Sequence, residues 1–474
     1  MLIACGSAAA ALLVDDRRLR VVAMAVALVA APVLVLGDVW DEPRVVDFRE
    51  SPAQIGGLLL VGVVALTALV LAFRRWREAF AIAAFAALPL RVPIEIGGET
   101  ANLLVPLYLV IAAGLIVFAL DDPRAPKAEE ADRWSLWLRR LLAATLVLYA
   151  IQASYSEDVP NAIENIGFFL VPFAVMFALL TTVQWTRSLL GRVLAVVAGV
   201  AVVCALIAIY QWSARDLFLN PELFDANQLH VYFRANSLFF DPNILGRYLA
   251  LAITALGAYM AWSGERLGLA LAAIAAGVCL IGLVVSFSIT SFAAVVAGLG
   301  IVALLRWGWR GATAAAALGL AGLAGLAIAG GTPTSDIQDY RSIDSGRESL
   351  LEGGIQLFEE RPAAGWGSGA FGQAFYEEIE PARSTVSHSE PVTVAAEQGV
   401  VGLVVYAAFL ITAMIALFDR ARGSLLRATV TACFVAVFVH SLGYAGFAID
   451  PVTWALLGLG VALRGGPPDD SVTI

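Results

Sequence analysis

His388 is the residue in this 474-residue chain best suited to moving a proton at neutral pH. An imidazole titrates at about 6.5 when unperturbed and can take a proton from a reacting hydroxyl within hydrogen-bond reach. It ends a polar, glycine-punctuated stretch, Arg347 to Gly402, that separates two apolar runs. Two other histidines have plainer readings. His230 lies in an earlier polar loop where solvation accounts for it, and His440 lies in an apolar helix as a packed, hydrogen-bonded core residue. Arg234 and Arg247 bracket Asp241-Pro242-Asn243, where Pro242 suits the first turn of a helix. Arg247 falls about one turn inside that helix. There it needs protein, water or an anion beside it, or must snorkel to the outer interface. For Arg234 the simplest role is a solvated loop residue or a headgroup contact. Arg347 sits in the first turn of an amphipathic helix expected from Ser345, with Leu350, Ile355 and Phe358 broadly on one side.

Other chemical motifs are weaker. Gly367, Gly369 and Gly372 spell GxGxxG, but that fingerprint belongs between a strand and a helix of a βαβ unit, and an amphipathic helix precedes it here. The better reading is a tight turn whose glycines let backbone approach another segment or a ligand. No DxD occurs. Glu378 and Glu380, with Asp41 and Glu42, are the acidic residues a metal-dependent transferase would use. The hydroxyls of Ser286–Phe292 suit bonds to their own helix backbone. Of four cysteines, Cys204, Cys279 and Cys433 lie in apolar runs and Cys5 follows Leu2-Ile3-Ala4. Their spacing supports neither a disulfide framework nor a zinc site, and nothing before Cys5 makes a lipoprotein cleavage box.

The elements that must position these residues are membrane helices. Hydrophobic residues make up 60% and charged residues 15%, and mean hydropathy is +0.82. The reading is an all-α polytopic transmembrane helical bundle, a single integral membrane domain over 1–474. A span needs about 20 apolar residues, and that ruler gives about 12–14 spans, including a run at 78–92. With residues 1–19 inside and strict alternation, roughly two-thirds of the 30 Lys and Arg fall in the inner loops, as cytoplasmic loops require. Both termini are then cytoplasmic. Two large loops, 213–242 and 331–392, are extracytoplasmic, and any chemistry belongs there. The net charge of −9 is the wrong sign for a nucleic-acid footprint.

Taken together, these residues resemble the O-antigen ligase and O-antigen polymerase superfamily of bacterial membrane glycosyltransferases. The signature at the end of that family's large loop is His, then Asn, Ser or Gln, nine residues, and Gly-x-x-Gly/Thr/Tyr. Here it reads His388, Ser389, EPVTVAAEQ, Gly399, Val400, Val401, Gly402, with Glu397 inside it. An Arg before a helix-opening Pro-Asn is matched by Arg234 and Pro242-Asn243. An Arg followed by Pro and a glycine-rich turn is similar to Arg347, Pro362 and Gly365 to Phe371, with one extra residue before the Phe. The resemblance covers 230–405. Many relatives carry a Ser-Arg pair where this chain has Ser291-Phe292, and Arg247 is the candidate substitute for that arginine.

The resemblance implies transfer of a glycan from an undecaprenyl-diphosphate-linked donor to an acceptor hydroxyl outside the bacterial cytoplasmic (inner) membrane. The acceptor is a second lipid-linked glycan, lipid A-core or another hydroxyl. His388 is then the catalytic residue, and Arg234, Arg347 and Arg247 bind the donor diphosphate, since guanidinium stays charged and binds phosphate bidentately. Asn243, Gly367, Gly369, Ser389, Glu397, Gly399 and Gly402 support them. Direct displacement would invert the anomeric carbon. No cofactor or metal is expected. Membrane lipids surround the bundle, and no nucleic-acid partner is implied. The competing reading is a glycan transporter or flippase without catalysis, which would show ionisable residues near mid-bilayer or broken helices.

Overall fold

The computed structural model describes residues 1–96, 99–121, 132–218, 223–224, 227, 233–329, 337–380 and 387–464. The side chains of Arg44 and of 93–96, 99–102, 323–329 and 337–347 lie outside the described set, as does His230. The chain is an all-α polytopic bundle. Among the described residues nine helices are long and apolar enough to cross a membrane. Four more are apolar but shorter: Leu2–Leu13, Val105–Leu120, Leu425–Ser441 and Pro451–Arg464. The Trp309–Ala329 helix follows Ile289–Trp307 and packs against it.

Three elements depart from the sequence reading. The run at 78–92 forms only the nine-residue helix Ala79–Ala87, about 13 Å at 1.5 Å per residue, too short to cross. Beyond it, Val92–Ile96 and Glu99–Leu103 pair as an antiparallel hairpin, Val92 opposite Leu103, an addition to the helical bundle. At the amino end, outside the apolar runs read as spans, Leu2–Leu13 forms a short apolar helix. It buries Cys5, Ala8, Ala11 and Leu12 against Arg17–Asp38 and Arg133–Ala153, because a stripe of small residues lets helices approach closely.

Two packing units carry the site. Pro242–Trp262 lies against Arg266–Ser286, Ile289–Trp307 and Leu425–Ser441. It begins where Asp241 accepts the amide proton of Asn243 and Pro242 fills the first turn, a cap and a proline in their favoured places. The second unit is Glu390–Phe418, packed against Arg133–Ala153 and against the loop helix Ile337–Glu360. That loop helix starts eight residues before the expected Ser345. Val159–Leu180, continuous through a π-helical stretch at Asn165–Leu170, fills the centre, and every residue of Val171–Leu180 is buried.

Polar contacts at the helix ends fall into two sets. One joins Arg17 to the Asp121 and Phe118 carbonyls, Arg20 to Thr181, Arg139 to Asp15, Arg192 to Glu78, and Arg464 to Asp132 and Asp419. The other joins Arg234, Asn243, Arg247, Asp450 and Glu390 to one another's neighbourhoods, as described next.

Candidate active site

His388 stands two residues before a helix, and its backbone is left-handed, φ +56°. Histidine tolerates that region better than most side chains but occupies it seldom. The Ser387 hydroxyl holds the turn, donating to the Ser389 carbonyl at 2.7 Å and accepting the Ser389 amide at 3.0 Å. Ser389 thus serves through its backbone, and its carbonyl also accepts the Thr393 amide at 2.9 Å. The next residue, Glu390, receives the amides of Gly446, Phe447 and Ala448 at 2.6, 3.0 and 3.3 Å. That carboxylate binds the start of the His388 helix to the turn that follows Leu425–Ser441.

The turn carries Tyr444, the residue about which the cluster is arranged. Its ring centroid lies 6.0 Å from that of His388 and 5.8 Å from that of His440. The Arg247 guanidinium stands over the same ring at 5.8 Å. The Asp241 carboxylate lies near the Tyr444 hydroxyl. Burial, with the nearby Asp241 charge, keeps Tyr444 above its ordinary pKa, so it remains a donor at neutral pH.

Arg247 does not snorkel. It is 5% exposed and pairs with Asp450 at 2.9 Å, Nη1 to Oδ2. The other Asp450 oxygen accepts the Val452 amide at 2.7 Å and caps the Pro451–Arg464 helix. Arg234 is half-buried. Its Nε donates to the Ser286 carbonyl at 3.1 Å and its Nη2 to the Asn243 Oδ1 at 3.2 Å. Ser286 closes its helix at a break, Phe287 having φ +51°. Beyond it, Ser288 and Ser291 hydroxyls lie 2.7 Å apart, and His440 Nε2 reaches Ser291 at 3.1 Å and Thr290 at 3.3 Å. Phe292, where relatives carry arginine, packs against the apolar core. Arg234, Asn243 and Asp241 thus form one bonded set, and beside it the Tyr444 ring gathers His388, His440 and Arg247. Arg347 falls within the Ile337–Glu360 helix, but its side chain lies outside the described residues.

The glycine turn sits elsewhere and has a different job. Gly365, Gly367 and Gly369 all have positive φ, as does Gly399 in the middle of Glu390–Phe418. The Trp366 amide donates to Ala396 at 3.0 Å, the Gly367 amide to Glu397 at 2.8 Å, and the Val400 amide to Pro362 at 2.8 Å. The Glu397 carboxylate accepts the Gly369 and Phe371 amides at 2.9 and 3.2 Å. A Cβ on Gly399 would stand 2.6 Å from the Ala363 carbonyl carbon, and one on Gly369 2.9 Å from the Ala162 nitrogen. These glycines let backbone approach backbone, locking the loop to the kinked helix and to the turn at Ser156–Asn161. Gly402 leaves room for the Gln398 side chain.

Sequence reasoning singled out His388, Arg234, Asn243 and Arg247, which the fold brings together. It passed over Tyr444, Asp241, Glu390 and Asp450. One signal could have found two of them. Asp-Pro opens a helix at 241–242 and again at 450–451, and both aspartates enter the cluster. Among the described residues no group of three or more His, Cys, Asp or Glu is gathered as metal ligands.

Fold and cluster define a multi-pass membrane protein with a buried cationic and imidazole site at one end of its bundle. Residues 250–407 match the family described as O-antigen ligase, and that match supports the O-antigen ligase and polymerase superfamily for this chain. The matched third includes Arg347, His388, Ser389, Glu397, Gly399 and Gly402, while Arg234 and Arg247 precede it. Such a domain implies lipid-linked glycan substrates in general. A comparison with curated proteins finds no match.

Proposed function

We propose that this protein is a membrane glycosyltransferase that moves a glycan from an undecaprenyl-diphosphate carrier to an acceptor hydroxyl, outside the cytoplasmic membrane and without a metal. The observation that carries the reading is His388 beside Tyr444, with the Arg247 guanidinium over the same ring and Arg234 bonded to Asn243 at the start of the Arg247 helix. The acceptor oxygen attacks the anomeric carbon as the bond from that carbon to the diphosphate oxygen breaks. His388 takes the hydroxyl proton, and the lipid diphosphate leaves with the bonding electron pair. Arg234 and Arg347 meet the charge that grows there, fixed cations in a water-poor site being most effective at that moment. The anomeric centre inverts.

Purified protein in liposomes containing a lipid-linked oligosaccharide tests this directly. We expect a new glycosidic bond with inverted configuration, undiminished by thorough chelation. His388→Ala should lower the rate by about 100-fold or more, the usual weight of a general base. Full activity in both His388→Ala and Arg347→Ala would overturn the proposal, and lipid movement across the bilayer with no bond formed would favour a flippase. Offering lipid A-core or a second lipid-linked glycan as acceptor separates ligase from polymerase in the same vesicles.

A further inference from the structure

Arg91 lies on the turn between Ala79–Ala87 and the β-hairpin, far in sequence from the matched domain. It lines a cleft of about 280 Å³, open mouth included, with Arg247, Asp450, Tyr248, Phe239 and Ile244. Among the described residues no hydrogen bond or ion pair holds its guanidinium, and its Nε is buried without a partner. The Nε of Arg247, in the same cleft, is likewise buried and unbonded. The carboxylate between them is already committed, one oxygen to Arg247 and the other to the Val452 amide. Burial lowers the Arg91 pKa, Asp450 opposes that, and Arg247 adds to it.

Two guanidinium groups stand near one saturated carboxylate in a mostly apolar cleft, and the buried Nε of each has no partner. Holding like charges together in such a place is expensive unless an anion lies between them. The cleft's walls are otherwise aromatic or aliphatic, so no other side chain there can answer the two guanidinium groups.

We propose that Arg91 and Arg247 form a phosphate-binding cleft, with Arg91 as an additional binding residue for the diphosphate of the lipid-linked donor. The assignment rests on the transferase reading for the identity of the diphosphate. The phosphate chemistry itself does not. Arg247 is positioned by Asp450, and Arg91 closes on the phosphate from the opposite wall.

The test uses the full-length protein in zwitterionic nanodiscs, with binding of undecaprenyl diphosphate measured directly and phosphatidic acid as a second probe. Arg91→Gln should weaken undecaprenyl diphosphate binding at least tenfold, and Arg91→Lys should restore part of it. In transfer assays Arg91→Gln should raise KM for the donor more than it lowers kcat. A second measurement needs no variant. Phenylglyoxal should modify Arg91 in the wild-type protein, and undecaprenyl diphosphate should protect it. Phosphatidic acid binding as tightly, and losing as much in Arg91→Gln, would assign the cleft to a phospholipid headgroup and sink the donor assignment. Unchanged binding in Arg91→Gln, or modification of Arg91 without protection, would overturn the cleft altogether. Failure of the wild type to transfer glycan, with Arg91-dependent diphosphate binding intact, would instead overturn the transferase reading and leave the cleft standing.

Discussion

Arg247 and Asp450 form an ion pair of 2.9 Å, and each side chain is only 6% exposed. Removing one partner strands the other charge in a dry interior, which destabilises by about 3–5 kcal/mol, whereas replacing both is often neutral. Asp450→Asn should therefore lower thermal stability in detergent markedly, and Arg247→Met combined with Asp450→Leu should recover much of it. A double variant no more stable than the single ones would show that the pair acts through something other than its charge.

Tyr444 meets both histidines and Arg247 with its ring, and its hydroxyl lies near Asp241. Tyr444→Phe keeps the ring and should reduce glycan transfer by less than about tenfold, the rough weight of one hydrogen bond. Tyr444→Ala removes the surface against which His388 rests and should reduce it much further. Equal losses in the two variants would move the weight to the hydroxyl.

Glu397 spends both oxygens on the Gly369 and Phe371 amides. Glu397→Gln can accept at only one of them and turns an amide donor towards the other. The expected result is less folded protein in the membrane, with turnover per folded molecule within roughly threefold of wild type. A hundredfold fall in turnover would place Glu397 in the reaction.

Gly399 interrupts a helix at φ +62°, ψ −162°, a region essentially confined to glycine that costs another residue on the order of 1–3 kcal/mol before its Cβ meets Ala363. Gly399→Ala should lower thermal stability by at least that amount. A Tm equal to the wild type would mean that the loop and the helix are not locked here.

At the opposite end of the bundle burial raises the pKa of Asp132, but hydrogen bonds from Arg464 and Ser135 and the Arg464 charge outweigh it, and the carboxyl is held below its ordinary value. A carboxyl depressed in the fold contributes stability that is present above its unfolded pKa of about 3.9 and is lost as pH falls towards the folded value. Unfolding monitored from pH 6 down to 2 should show an acid-labile step that Asp132→Asn flattens. An unchanged acid limb in that variant would assign the loss to other carboxylates.

The helices were legible because lipid imposes long apolar runs, and the His388 signature was legible because its spacing is local. Length misled at 78–92, where enough apolar residues occur but Pro89 and the hairpin end the helix at Ala87. Leu2–Leu13 fell outside the span ruler because it is only 12 residues long, and its alanines signal packing within the bundle. Tyr444 was illegible for a different reason. It meets Arg247 across some 200 residues of chain, and such pairings are made only by tertiary packing.

Pro451–Arg464 joins the two ends of the bundle. At its start Asp450 fixes Arg247, and at its finish Arg464 is tied to Asp132 and Asp419. Fourteen residues make a strut of about 21 Å, against a hydrocarbon thickness of about 30 Å. The two ion-pair sets are therefore held one short helix apart, so that a change in the length of Pro451–Arg464 would pull Asp450 away from Arg247 or Arg464 away from Asp132.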